Sequence, residues 1–242
     1  MHTKFVQTSN VKKFLAAFAS AEERAAREAG WVAAIGEPGL GKTRTLEWWA
    51  VQQKAVFLRA KAEWTPIWVI RELAERLGLS SDGTYKSLFQ RVLTCIGERR
   101  TPIVIDEAEK TKHNMRLLEG VRDIVDLTEV ELVIGGTPDA LRFLTKYPQW
   151  ASRVSATARF GLATAADVKL MATELCEVPV DDGLLALILT ETGGYYREIK
   201  NALGEVEKVG RVNRGAAVTV EMVKGRTLCR NRRALQDGVS GR

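Results

Sequence analysis

Residues 36–43 read Gly36-Glu37-Pro38-Gly39-Leu40-Gly41-Lys42-Thr43, a complete G-x-x-x-x-G-K-[ST] spacing. These residue types at this spacing suit one task, the holding of nucleotide phosphates. Glycines let backbone N–H groups wrap the phosphates, and the helix that follows adds the positive end of its dipole. Lys42 would reach the β- and γ-phosphates, and the Thr43 hydroxyl would offer a ligand to Mg²⁺. Arg44 carries the loop into its helix, so residues 36–44 form the candidate nucleotide-binding set.

A second set lies downstream. Pro102-Ile103-Val104-Ile105-Asp106-Glu107 is an apolar run ending in two adjacent carboxylates. Beyond a phosphate loop, Asp106 is the candidate Mg²⁺ partner, acting through the ion's water shell because Mg²⁺ dehydrates reluctantly. Glu107 is placed to polarise an attacking water as a general base. A small-molecule kinase needs no such glutamate, because its acceptor brings the hydroxyl. The pair therefore tilts the expectation to ATP hydrolysis. Thr137 follows the apolar run Leu132-Val133-Ile134-Gly135-Gly136 and would stand beside the γ-phosphate if that strand lies between the other two. The same residues also read as a Gly-Gly-Thr-Pro turn. Arg153 and Arg197 are candidates to stabilise charge on the transferring phosphoryl group, Arg153 from a neighbouring subunit and Arg197 in cis. Each reads equally as a surface ion-pair residue.

These groups need strands that end together. Trp31–Ile35, Ala55–Arg59, Ile103–Ile105 and Glu131–Ile134 are short apolar runs, with a weaker one at Thr157–Gly161. Helical spacing marks Val11–Ala29, Ile67–Leu77, Tyr85–Glu98 and Met115–Asp126. Apolar strands alternating with helices predict an α/β fold, a parallel five-stranded sheet flanked by helices, with ligands at the carboxyl ends of the strands. After Leu162 only helices are expected: Ala165–Cys176, Asp182–Thr192, Tyr195–Val209 and Val220–Leu235, with Thr164 and Thr219 as N-caps. The expected organisation is an N-terminal helical segment (1–30), a phosphate-loop α/β domain (31–163) and a helical lid with a basic end (164–242).

The 242 residues carry a net charge of +6, 45% hydrophobic and 27% charged side chains, enough for an ordinary core and a soluble surface. From Arg197 to the end, eleven Lys/Arg stand against five Asp/Glu, while residues 1–196 balance. Such asymmetry favours an anionic partner, nucleic acid first, although a basic stretch is also how a solvated helix face looks. Three widely spaced cysteines and two histidines argue against a disulfide framework or a zinc site. The start, MHTKFVQTSN, has no apolar segment of a signal peptide, and no stretch is long enough to span a membrane.

Together these features resemble the AAA+ ATPases and, more narrowly, the Mu-type B transposition proteins, the target-selecting ATPases of phage-like transposons. The similarity rests on Phe5-Val6-Gln7-Thr8, the loop Gly36–Thr43, Glu72-Leu73-Ala74-Glu75-Arg76-Leu77-Gly78, Ile105-Asp106-Glu107-Ala108, Ser152-Arg153-Val154 and Tyr196-Arg197-Glu198-Ile199. The resemblance implies an ATP- and Mg²⁺-dependent, sequence-nonspecific binder of double-stranded DNA that assembles with copies of itself as a filament or ring. It implies recruitment of a transposase, action in the cytoplasm of a bacterium or phage-infected host, and no membrane partner. It casts Asp106 and Glu107 as the Walker B pair, Arg153 as a residue acting on the adjacent subunit's site and Arg197 as the lid sensor. Thr137 departs from the Asn usual at the first sensor position. Candidate DNA contacts are Lys61, Lys86, Arg91, Lys110, Lys112 and Arg116, with a second set at Arg226, Arg230, Arg232 and Arg233. The competing expectation is a regulatory or secretion-associated AAA+ ATPase acting on protein partners without DNA.

Overall fold

The computed structural model describes residues 1–23, 30–112, 116–212 and 216–229. Contacts divide the chain into two compact units. One holds 13–38 and 42–160; the other holds 1–12, 39–41 and 161–242.

In chain order the first unit comprises most of helix α1 (Ser9–Glu22), then β1 (Trp31–Ile35), α2 (Lys42–Gln53), β2 (Val56–Arg59), α3 (Pro66–Arg76), α4 (Tyr85–Arg99) and β3 (Ile103–Asp106). A 3₁₀ turn (Ala108–Thr111) follows, then α5 (Arg116–Thr128), β4 (Leu132–Gly136), α6 (Pro138–Thr145), α7 (Pro148–Ala151) and β5 (Val154–Arg159). The five strands form one sheet in the order β2-β3-β4-β1-β5, every neighbouring pair parallel. Both faces of such a sheet are covered, so the inner strands read as unbroken apolar runs rather than alternating ones. All residues of β1, β3 and β4 are buried. Trp31, Leu58, Ile70, Leu88, Ile105 and Ile134 are among the residues that fill the core.

The expected strands are all present. β5 starts three residues earlier than Thr157, because Val154, Ala156 and Thr157 already pair with Trp31, Val32 and Ala33 of β1. As an outer strand it is only partly buried, which is why its apolar signal was weak. Helix α1 begins at Ser9, two residues before the expected Val11, and its described part ends at Glu22. The rest of the expected Val11–Ala29 helix lies largely outside the described residues.

The second unit is helical. It contains α8 (Ala165–Leu175), α9 (Asp182–Thr192), α10 (Tyr196–Val212) and α11 (Val220–Val223) around Val168, Leu184, Ile188, Ile199, Leu203 and Val206. Thr164 caps α8 through a reciprocal pair: its hydroxyl accepts from Asp167 N–H, and the Asp167 carboxylate accepts from Thr164 N–H. The expected helix Val220–Leu235 is corrected. Thr219 precedes α11 without a side-chain cap bond, the helix lasts four residues, and Gly225 follows at φ +82°. That positive φ ends helical winding. Residues from 230 onward lie outside the described set, and with them Arg230, Arg232 and Arg233.

Candidate nucleotide site

β1 delivers its carboxyl end to the loop, and α2 begins at Lys42. Gly39 and Gly41 adopt φ +87° and +89°, where side-chain-bearing residues are strained, so glycine is required at both. The Lys42 ammonium donates to the carbonyls of Gly36 (2.6 Å) and Glu37 (3.0 Å). The cation is thereby held within the turn of backbone that would wrap phosphates. Thr43 Oγ1 donates to Asp106 Oδ2 at 2.6 Å, joining the start of α2 to the end of β3. Asp106 is 1% exposed. Arg44 is exposed and lies 3.5 Å from Glu47, which also faces Arg59 at 3.6 Å.

Glu107 directly follows β3 in the left-handed region, φ 58° and ψ 38°. A glutamate held there carries strain on the order of 1 kcal/mol or more. The bend turns the chain into the 3₁₀ turn and directs the Glu107 carboxylate to an ion pair with Lys110. β4 does lie between β3 and β1, as the sensor expectation for Thr137 required. Thr137 is the N-cap of α6 but makes no side-chain cap bond. Its backbone N–H donates to Glu109 Oε2 at 3.1 Å.

The two glycines of β4 are there for space. A Cβ on Gly135 would lie 2.8 Å from Asp106 Oδ1, and one on Gly136 would lie 2.8 Å from Glu109 Oε2. Both distances are below what real Cβ atoms show, and Leu46 and Ala140 lie closer still, so a side chain at either position would have to push a carboxylate or its neighbour aside.

Within the helical unit, Asn10 is 1% exposed. Its amide donates to Leu40 O (3.2 Å) and Gly161 O (2.8 Å), and its carbonyl accepts from Gly161 N–H (3.0 Å). Arg197 is exposed, and its backbone N–H donates to Gly39 O at 3.1 Å. Asp167 gathers Ser9 N–H and Oγ (both 2.7 Å) and Tyr196 OH (3.0 Å). Burial pushes its carboxyl up, but the backbone N–H groups of Thr164 and Ser9 and the hydroxyls of Ser9 and Tyr196 outweigh that, leaving it below the ordinary value. Burial, with Asp167 beside it, pushes the Tyr196 hydroxyl up to about 12.

The remaining candidates scatter. Arg153 is bidentate to Asp126, Nε to Oδ1 at 2.9 Å and Nη2 to Oδ2 at 2.8 Å. Lys61 pairs with the buried Glu72 at 2.6 Å and stands 5.2 Å from the Trp68 ring centre. Trp64 Nε1 donates to the same carboxylate at 3.2 Å. Arg91 donates to Asp82 O. Lys86, Lys110, Lys112, Arg116 and Arg226 are exposed. Among the described residues no group of three or more His, Cys, Asp or Glu could hold a metal, the three cysteines are free, and no helix is long and apolar enough to cross a membrane.

Sequence reasoning missed Glu109, Asn10 and Asp126. Glu109 looks like one more acid on a charged turn, and only the approach of β4 reveals it. Asn10 adjoins the Phe5–Thr8 segment, but nothing local shows that its amide reaches residues 40 and 161.

Comparisons with known proteins agree with this geometry. Residues 25–144 match the AAA domain family. Among curated proteins none matches the chain by sequence. Among solved structures, the Orc1 protein of Aeropyrum pernix, determined in complex with DNA, superimposes with TM-score 0.61 at 18% identity, over 92% of this chain and 65% of that one. Cdc6p of Pyrobaculum aerophilum superimposes with TM-score 0.60 at 16% identity, over 92% and 68%. The chain thus spans about two thirds of the length of each, and at these identities the likeness speaks for the fold. With a glycine-shaped loop, a lysine seated in it and a threonine bonded to the aspartate that ends β3, the chain has an AAA+ P-loop fold, within which residues 25–144 are similar to the AAA domain family.

Proposed function

We propose that the protein is a Mg²⁺-dependent ATPase that binds double-stranded DNA without sequence preference, assembles with copies of itself on that DNA and recruits a transposase to the target. The observation that carries the enzymatic part is the Thr43–Asp106 bond beside Glu107. Its oxygens are the hard donors Mg²⁺ prefers, so Thr43 and Asp106 would hold the ion, which when bound adds positive charge beside the phosphates. Lys42 binds phosphate oxygens, and the glycines keep their backbone N–H groups turned to the nucleotide. Glu107 accepts the proton of the attacking water, and Thr137 helps to orient that water. Arg197 serves as a sensor in cis, and Arg153 acts on the site of a neighbouring copy once Asp126 releases it.

The DNA and transposition part is supported by the basic surplus after Arg197, by exposed Lys86, Lys110, Lys112, Arg116 and Arg226, and by the family resemblance carried by the motifs. A structural neighbour was determined with DNA. Repetition along an assembly multiplies a modest contact per subunit. A second reading, an AAA+ switch acting on protein partners, is favoured by one observation: Lys61 is already committed to Glu72.

Electron microscopy and DNA binding with ATP, ADP and no nucleotide separate the two. The proposal expects assembly on DNA with ATP, its loss in Lys42→Ala and its persistence in Glu107→Gln. Absence of any ATP-dependent DNA retention by the wild type at low salt would reject it in favour of the protein switch.

A further inference from the structure

At the end of the sheet opposite the phosphate loop, the α/β unit contains a recess of about 530 Å³, within the usual range of ligand-binding clefts. Its rim carries Lys54, Arg76, Arg99 and Arg100 and its floor includes Phe57 and Leu77. The four cations are exposed, and among the described residues none has a carboxylate within ion-pair distance. The nucleotide site uses none of them, and none is among the DNA candidates.

Three helices end here. Gln53 closes α2, Arg76 closes α3 and Arg99 closes α4, so the negative ends of three helix dipoles converge on the recess. Lys54 and Arg100 occupy the left-handed region at φ 52° and 50°, which turns the chain sharply after α2 and α4. Arg100 donates to Thr128 O and Glu129 O, and Arg99 to Leu77 O at 3.3 Å. Each guanidinium has five donors, so both keep capacity for a further acceptor.

The strand at this recess is β2, the outer strand of the sheet. Val56 N–H donates to Pro102 O at 2.9 Å, and Val56 and Leu58 lie opposite Ile103 and Ile105. Alternation along the strand therefore turns the N–H and C=O of Phe57 away from β3, and among the described residues they take up no backbone hydrogen bond outside the sheet.

We propose that this recess docks an extended acidic peptide of a partner protein, one with an apolar side chain between its carboxylates. The chemistry selects such a peptide over a nucleic acid. A phosphate backbone offers acceptors only, and would meet helix-end carbonyls as well as cations. A peptide brings carboxylates for Lys54, Arg76, Arg99 and Arg100, N–H donors for exposed carbonyls, and a main chain that can pair with Phe57 by strand addition. The apolar floor takes its intervening side chain.

The test uses the full chain and fluorescence anisotropy at low salt. The probe is a fluorescein-labelled ten-residue peptide alternating glutamate and valine. Its controls are the same peptide with lysine for glutamate and a short DNA duplex as competitor. Lys54→Gly with Arg76→Ala removes two exposed cations without backbone strain, since glycine suits the φ of residue 54. The expected result is binding of the acidic peptide, weakened about tenfold in the double variant, with ATP turnover unchanged. An equal charge loss elsewhere, Lys13→Ala with Lys200→Ala, leaves binding intact. The proposal is overturned if the acidic peptide does not bind, if the lysine peptide binds as well, or if the double variant binds undiminished. It is also overturned if the duplex displaces the peptide and loses affinity through the same two substitutions, because the recess would then be a nucleic-acid site.

Discussion

Thr43 and Asp106 are 63 positions apart in sequence, yet the hydroxyl of one donates to the carboxylate of the other at 2.6 Å. The first turn of α2 and the last residue of β3 are thereby fixed to each other. Thr43→Val removes the hydroxyl at nearly constant volume, and kcat for ATP is expected to fall on the order of 10²-fold, the usual loss for one preorganised polar group. Thr43→Ser keeps the oxygen and should retain most turnover. Steady-state phosphate release measures both, with circular dichroism to confirm that the fold persists.

Glu107 separates stability from activity. Its backbone is left-handed, so Glu107→Gly should leave thermal stability unchanged or raise it by up to about 1 kcal/mol. Hydrolysis should be abolished in the same protein. A melting temperature several degrees below wild type would show that the Glu107 side chain supports the turn more than its backbone strains it.

Gly135 is expected to tolerate no methyl group. The added Cβ in Gly135→Ala meets Asp106 Oδ1 and the Leu46 side chain, and overpacking of this kind costs about 1–3 kcal/mol. Urea unfolding should show that loss, and ATP turnover should fall further than stability alone explains, because the displaced atom belongs to Asp106. Turnover equal to wild type would mean that β4 can shift without disturbing the carboxylate.

Asp167 sets an acid limit on the helical unit. Its native carboxyl titrates below the ordinary 3.8, so the unfolded chain takes up the proton first. The stabilisation is complete above the unfolded value and is lost as pH falls through the depressed native one. Denaturant unfolding from pH 7 down to pH 2 should show wild type exceeding Asp167→Asn at neutral pH and the two converging at the acid end. Parallel curves at every pH would remove the carboxylate from the acid dependence.

Much of this was legible in the residues. Runs such as Trp31–Ile35 and Ile103–Ile105 announce buried parallel strands because both of their faces are covered, and the phosphate loop announces itself because its spacing fixes Gly36, Gly41, Lys42 and Thr43. What escaped depends on tertiary approach. Nothing near Glu109 says that β4 will come within reach of its carboxylate, and nothing near Arg153 names Asp126 as its partner. The pattern of Val220–Leu235 contains few breakers and predicts a helix well past Val223, but a single Gly225 with positive φ outweighs it. Lys61 looked like a free basic residue because Glu72, eleven positions on, becomes its neighbour only after α3 forms.

The glycine pair of β4 carries a mechanical implication. Side chains between packed elements act as springs that absorb small displacements by changing rotamer. At Gly135 and Gly136 the strand carries no such spring, and the space a Cβ would take is held by the carboxylates of Asp106 and Glu109 together with the side chains of Leu46 and Ala140. A shift in β4 would reach both acids with no β4 side chain to absorb it. Strain entering at either end of this strand would therefore register at these two carboxylates as displacement, with no β4 side chain to take it up first.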